Sequence, residues 1–127
     1  MTAPVPIREY DVAAKSTNVF GRVAVSARDV SVLVDGPVQN GCLGVQLTPP
    51  EVFLASVAAC SVELVTVIAK ETNVSVGPVD VTVHGMLDRS KQSREGLTVF
   101  NSVHMKVHVK GTDGATAAQL VESFKRR

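Results

Sequence analysis

Apolar and polar side chains alternate along two short segments near the start of the chain. RVAVSA (residues 22–27) and VSVLVD (residues 30–35) each place their valines on one face. This period of two is typical of strands with one buried face, and its phase changes at Arg28-Asp29. The pattern predicts two strands joined by a tight turn, or one strand with a bulge. We expect an earlier strand at residues 10–14 and, in the Gly/Pro/Asn-rich DGPVQNGCLG, a loop.

A long apolar helix is predicted to follow this loop. Thr48 and Glu51 form a Thr-x-x-Glu capping box, with Pro49 at the first helical position. Residues 52–69 are apolar nearly all round the helix, as expected for a central core helix or a membrane span. Glu63 in mid-segment and strand-rich flanks favour the core.

Alternation returns after this helix, in PVDVTVHGML (residues 78–87) and LTVFNSVHMKVHVKG (residues 97–111). The polar DRSKQSREG between them predicts an antiparallel hairpin, and residues 116–127 predict an amphipathic helix. The order of elements indicates one α+β domain over residues 1–127, in which an antiparallel sheet wraps around a long buried central helix.

Composition narrows the function classes. The chain has 127 residues, a formal net charge of +1, five aromatic residues and no basic run, which argues against nucleic-acid binding. Two cysteines are too few for a disulfide framework and indicate a reducing compartment. The N-terminal MTAPVPIREYDV lacks an apolar signal segment, so we predict a cytoplasmic protein with no membrane association.

Cys60, in the middle of the predicted helix, is the main candidate for chemistry. A free cysteine most often acts as a small buried hydrophobe. A reactive thiol needs a positive or hydrogen-bonding environment that favours the thiolate. The nearby carboxylate of Glu63 disfavours the thiolate. Glu51 is explained by capping, and nine residues put it about half a turn out of phase with Cys60. From these residues alone, packing and reactivity both remain open.

A metal or cofactor site is not predicted. His104 and His108 share a strand face but are roughly 13 Å apart, too far for one metal ion. Pairing His84 with either across the sheet would give only a weak two-histidine site. The glycines of the loop also lack a phosphate-binding fingerprint.

The residues nevertheless resemble a known family. An Asp-x-Pro exit from a strand, a Gly-containing loop and TPPEVFLASVAACS at the head of an apolar helix are similar to the OsmC/Ohr (osmotically inducible and organic-hydroperoxide-resistance) proteins, in their OsmC-like branch. The resemblance covers about residues 10–127. It implies an OsmC-like fold and an intertwined homodimer with active sites at the subunit interface.

The resemblance also implies a chemistry. The cysteine at the position of Cys60 attacks an organic hydroperoxide and becomes a sulfenic acid, supported by a glutamate and an arginine. Here Glu51 and Arg22 are the candidates for those two roles, with Arg28 as the alternative arginine. An external dithiol would supply the reducing equivalents, and no organic cofactor or metal is implied.

Three features depart from the family pattern. A second cysteine expected near the C-terminal helix is absent, and the sequence ends at FKRR about where it would begin. We expect either that the protein has no such thiol or that the chain lacks that C-terminal segment. Pro50 occupies the slot that holds the glutamate in the hydroperoxide-resistance branch. The family's arginine has two candidate positions in this chain, Arg22 in the VFGRV turn and Arg28.

Cys42 raises a separate hypothesis. It is flanked by Gly41 and Gly44 in a loop predicted to be mobile, and it could replace the missing thiol and capture an oxidised Cys60.

The sequence therefore predicts a homodimeric, cytoplasmic thiol peroxidase that acts on organic hydroperoxides in oxidative-stress defence. Two alternatives stay open: a non-catalytic dimeric module that binds a small apolar ligand, and an oxidation sensor that stops at the sulfenic acid.

Overall fold

In the computed structural model, residues 5–127 are described, and they contain both helices and antiparallel strands. The elements are β1 (Ala13–Ser16), β2 (Arg22–Ala27), β3 (Val30–Asp35), α1 (Pro49–Glu71), β4 (Val79–Met86), β5 (Ser102–Val109) and α2 (Gly114–Lys125). The predicted α+β class is confirmed. The chain divides into two compact units, Met1–Val52 and Phe53–Arg127.

The first unit is built on a three-stranded antiparallel sheet in the order β1-β2-β3. The last pair of the β2–β3 ladder is Ala27 with Val30, so Arg28 and Asp29 form a two-residue turn. Arg28 adopts a left-handed backbone with φ 57°, which a tight hairpin turn requires. Of the two predicted alternatives, two strands with a turn is confirmed and the bulge is wrong. β1 begins three residues later than predicted.

The segment between β3 and α1 is a loop, as predicted, with one short 3-10 turn at Val38–Asn40. It is anchored at its start, where the Gly36 N–H donates to the Gly21 carbonyl at 2.8 Å. The Cys42 sulfur packs against both glycines, and a Cβ atom at either would clash with it. The Cys42 side chain is therefore packed, since the absence of two Cβ atoms makes room for its sulfur, while the mobility of its loop stays a prediction.

The second unit packs α1 and α2 with the antiparallel pair β4–β5. Its core consists of Val65, Ile68 and Ala69 of α1 and Leu120 of α2, with partly buried apolar residues around them. Ser61, fully buried on α1, donates its hydroxyl to the Val57 carbonyl and lies 3.1 Å from the Met105 sulfur of β5. One side of α1, which was predicted to be apolar nearly all round, thus packs in this core.

Only one side of α1 is buried within a single chain. The buried residues Ser61, Val65, Ile68 and Ala69 share that side, whereas Phe53 is 56% exposed. By length and composition α1 could also cross a membrane, but a single such helix is weak evidence, because core helices of soluble proteins have the same character. The helix begins at the predicted Pro49 and ends at Glu71, two residues beyond the predicted apolar segment, and its own chain covers about one face of it.

Candidate functional site

Cys60 lies on the exposed side of α1, as a free thiol. Its neighbours one turn away on this side, Ser56 and Glu63, are also exposed. The thiol therefore shares a partly polar helix face and is not sealed in hydrocarbon by its own chain.

Glu51 caps the N-terminus of α1. Its Oε1 accepts hydrogen bonds from the Thr48 N–H at 2.9 Å and from the Thr48 hydroxyl at 2.8 Å. These two bonds lower the pKa of the Glu51 carboxyl, with the backbone N–H as the larger cause. The capping role predicted from sequence is confirmed on the glutamate side, and within residues 5–127 both of these bonds end on Oε1.

Arg22 is the first residue of β2, and its side chain binds Asp35, the last residue of β3. Its Nε donates to Oδ1 at 2.8 Å and its Nη2 donates to Oδ2 at 3.0 Å, a two-point ion pair. The hydrogen bonds from Arg22 lower the pKa of the Asp35 carboxyl far below its ordinary range, and the pKa of Arg22 is raised by the same contact. Among the described residues, the ion pair of Arg22 is with Asp35 and not with Glu51.

Asp35 is a site residue that was not predicted from the sequence. Its side chain is 1% exposed, and besides Arg22 it accepts hydrogen bonds from the N–H groups of Val45 and Gln46 at 2.9 and 2.8 Å. The signal was present in VSVLVD, where an aspartate ends an otherwise apolar strand just before the Gly-Pro turn. A carboxylate at such a position needs a buried partner.

The remaining candidates lie apart from these contacts. Arg28 is exposed at the tip of the β2–β3 turn, which explains it as a solvated turn residue. His84 and His104 face each other directly in the β4–β5 register, and His108 is opposite Asp80. Within residues 5–127, no group of three or more potential metal-ligating side chains comes together.

The predicted site residues thus have different local contacts. Within the first unit, Arg22 is held by a buried carboxylate and Glu51 by the helix start. Within the second unit, Cys60 offers an exposed nucleophile on a helix. A thiolate can attack an electrophilic oxygen or sulfur, and a guanidinium can stabilise a developing anion.

Comparison with known proteins places the chain in a family. The sequence model of the OsmC-like protein family matches residues 42–127. A comparison with curated proteins gives no significant match.

Solved structures with the same fold come from several bacteria. The OsmC-like protein from Mycoplasma pneumoniae superposes with a TM-score of 0.78 at 14% identity, covering 94% of this chain and 82% of that one. An organic hydroperoxide resistance protein OsmC from Legionella pneumophila gives 0.73 at 20% identity, with coverage of 96% and 85%. One from Elizabethkingia anophelis gives 0.73 at 17% identity, with coverage of 95% and 84%.

These likenesses confirm the predicted OsmC-like fold. Because the family model spans well over half of the 127 residues and the fold agrees with it, the chain belongs to the OsmC-like protein family.

Proposed function

We propose that this protein is a dimeric, cytoplasmic thiol peroxidase that reduces organic hydroperoxides, with Cys60 as the reacting thiol. The observation that carries the proposal is the free, exposed sulfur of Cys60 on α1, inside the segment that matches the family model. Solved neighbours with this fold are named organic hydroperoxide resistance proteins. An accessible thiol can meet a substrate, whereas a structural cysteine is usually sealed and inert.

The proposed reaction has two steps. The Cys60 thiolate attacks the outer oxygen of the hydroperoxide; an S–O bond forms, the O–O bond breaks, and the alkoxide leaves and is protonated to the alcohol. The sulfur loses two electrons and becomes a sulfenic acid. An external dithiol then forms a mixed disulfide with Cys60 and releases water, and its second thiol displaces Cys60 as its own disulfide closes.

Arg22 and Glu51 are proposed to support this thiol, a role that rests on the family resemblance. The Nε and Nη2 of Arg22 donate to Asp35, and its Nη1 takes no part in that ion pair. Both hydrogen bonds to Glu51 end on Oε1. Each residue can therefore keep its structural bonds and still offer its remaining atoms to a substrate.

A dimer is proposed because its own chain covers only one side of α1. Phe53 and Ala59 are exposed on this apolar helix, and a second copy would remove them from water. The resemblance implies the same arrangement.

The experiment measures consumption of cumene hydroperoxide with dithiothreitol as the reductant. We expect turnover by the wild-type protein and none by Cys60→Ser, because serine cannot form the sulfenic acid. Cys42→Ser is the matched control and should retain turnover, since the external dithiol completes the cycle. Equal consumption by Cys60→Ser and wild type would contradict the proposal.

Cys42 has a separate test. If it captures oxidised Cys60, one equivalent of hydroperoxide without reductant yields a Cys42–Cys60 disulfide in a non-reducing peptide map. The packing of its sulfur between Gly21 and Gly36 favours the opposite result, a sulfenic acid on Cys60 that persists until dithiol is added.

A second candidate function is a binding module for small apolar ligands. Phe53 supports it, because its ring stacks on Phe100 with centroids 5.6 Å apart while more than half of Phe53 stays exposed. Saturable binding of an apolar probe that is unchanged in Cys60→Ser, together with no peroxide turnover, would favour this function. Stable sulfenic acid that dithiol does not turn over would favour the oxidation sensor.

A further inference from the structure

The β4–β5 pair has one face towards α1 and one face towards solvent. Met105 of β5 contacts α1, and a Cβ atom at Gly85 of β4 would meet a leucine of α1, so both positions point inwards. Successive strand residues point to opposite faces. The outer face therefore carries His84, Met86 and His104, all of which are exposed.

The strand register brings the two histidines of this outer face together. His84 is paired directly with His104, whereas His108 is paired with Asp80. Directly opposed residues of an antiparallel pair have Cβ atoms about 4.5–5.5 Å apart. From the sequence, either His104 or His108 could face His84, and strand pairing selects His104.

This spacing suits two ligands of one metal ion. Metal–nitrogen bonds are about 2 Å long, so two imidazole nitrogens on one ion lie at most about 4 Å apart. Imidazole rings whose Cβ atoms are about 5 Å apart can reach that distance by choice of rotamer, without a change of backbone. Within residues 5–127 neither histidine belongs to an ion pair, so an ion can approach both rings from solvent.

A neighbouring thioether favours copper among the metals that imidazole binds. No third imidazole, thiol or carboxylate of residues 5–127 joins the pair. Met86 is two residues from His84 on the same face, lies diagonally across from His104 and is 49% exposed. Diagonal neighbours are within reach of long side chains. A thioether selects Cu(I), and Cu(II) is the divalent ion that nitrogen ligands bind most tightly.

We propose that His84 and His104 form a copper site on the outer face of β4–β5, with Met86 as a soft third ligand for Cu(I). The site is separate from Cys60, which is on the helix that packs against the inner face, and it does not depend on the proposed peroxide chemistry. Because the two histidines are twenty residues apart in the chain, a shared ion also stabilises the folded hairpin relative to the unfolded chain.

The charges of the outer face make this an exchangeable site. Lys106, opposite Thr82, is the next residue of β5 on this face and repels a cation, although its ammonium group can turn away on a flexible stem. Asp80 and His108 form the pair beyond it. Water completes the coordination, in contrast to the closed four-ligand sites of structural metals.

The test titrates Cu(II) into the protein by calorimetry, with electron paramagnetic resonance to detect nitrogen ligands. The parent protein for all measurements carries Cys42→Ser and Cys60→Ser, so that no thiol binds or reduces copper. His84→Thr and His104→Thr should each weaken Cu(II) binding at least about a hundredfold, because a single imidazole loses the gain from two linked ligands. His108→Thr is the matched control on the same face and should bind like the parent.

The folding of these variants is protected by the choice of threonine, which suits an exposed strand position. One equivalent of Cu(II) should raise the Tm of the parent and of His108→Thr, but not that of His84→Thr or His104→Thr. Unchanged Cu(II) affinity in either of these two variants, or an equal loss in His108→Thr, would overturn the inference.

Met86→Leu tests the assignment to copper. Its Cu(I) affinity, measured without oxygen by competition with bicinchoninate, should fall at least about tenfold, because one of three linked ligands is lost. Its Cu(II) affinity should stay at the parent value. An unchanged Cu(I) affinity, or Zn(II) bound by the parent as tightly as Cu(II), would contradict the copper assignment. Peroxide turnover is not measured in any arm, so these results and those for the proposed function are independent.

Discussion

Arg22 and Asp35 face each other across the β2–β3 ladder, and their side chains form a two-point ion pair with distances of 2.8 and 3.0 Å. The same carboxylate binds two N–H groups of the loop that leads into α1. One buried carboxylate therefore holds both the Arg22 side chain and the end of the loop before α1. The effects of this carboxylate can be measured.

The stability of the protein should depend on pH through Asp35. Its pKa is lowered in the folded state by the hydrogen bonds from Arg22 and the loop, whereas an unfolded aspartate titrates near ~3.9. Its stabilising effect is therefore complete above about pH 5 and is lost progressively as the pH falls below the unfolded value towards the lower folded pKa. We expect the Tm of the wild type, measured by calorimetry, to drop between about pH 5 and pH 3.

Asp35→Asn is the comparison for this prediction. It should have a lower Tm at pH 7 and a shallower drop on acidification, because residue 35 no longer titrates. A residual slope is expected from Glu51 and Asp113, whose pKa values are also lowered by hydrogen bonds. Parallel curves for the two proteins would show that Asp35 does not carry the acid sensitivity.

Close packing in the second unit should leave no room for a side chain at Gly85. A Cβ atom there would lie 2.9 Å from both Leu54 of α1 and the Phe100 ring, closer than ordinary contact. Gly85→Ala should lower the free energy of unfolding by about 1–3 kcal/mol through overpacking, as measured by urea titration.

Gly114→Ala is the matched control for Gly85. Gly114 is the first residue of α2 and has open space around it, so alanine should raise stability by about 0.4–1 kcal/mol. If Gly85→Ala were as stable as Gly114→Ala, the close approach of α1 to β4 would be disproved.

The exposed side of α1 should be a contact between two copies of the chain. Light scattering should give twice the chain mass for the wild type. Ala59→Arg should give a monomer, because it places a charge on the exposed, mostly apolar face. Ala118→Arg, at an exposed alanine of α2, should remain dimeric. A monomeric wild type, or a dimeric Ala59→Arg, would contradict the dimer proposal.

The elements were predictable from the sequence because their signals are local. A period of two fixed β2 and β3 to the residue, and the change of phase at Arg28 located their turn. The Thr48–Glu51 pair located the start of α1, since the bonds it makes join residues three apart. The family motif that ends in Cys60 could be recognised for the same reason.

The setting of each candidate side chain could be decided only by the tertiary structure. Arg22 and Asp35 are thirteen residues apart, and strand pairing alone brings them into contact. Cys42 was expected in a mobile loop but packs against two glycines from different strand ends. Burial, ion pairs and close approach depend on which distant residues meet, and a one-dimensional pattern of polarity carries no information about those partners.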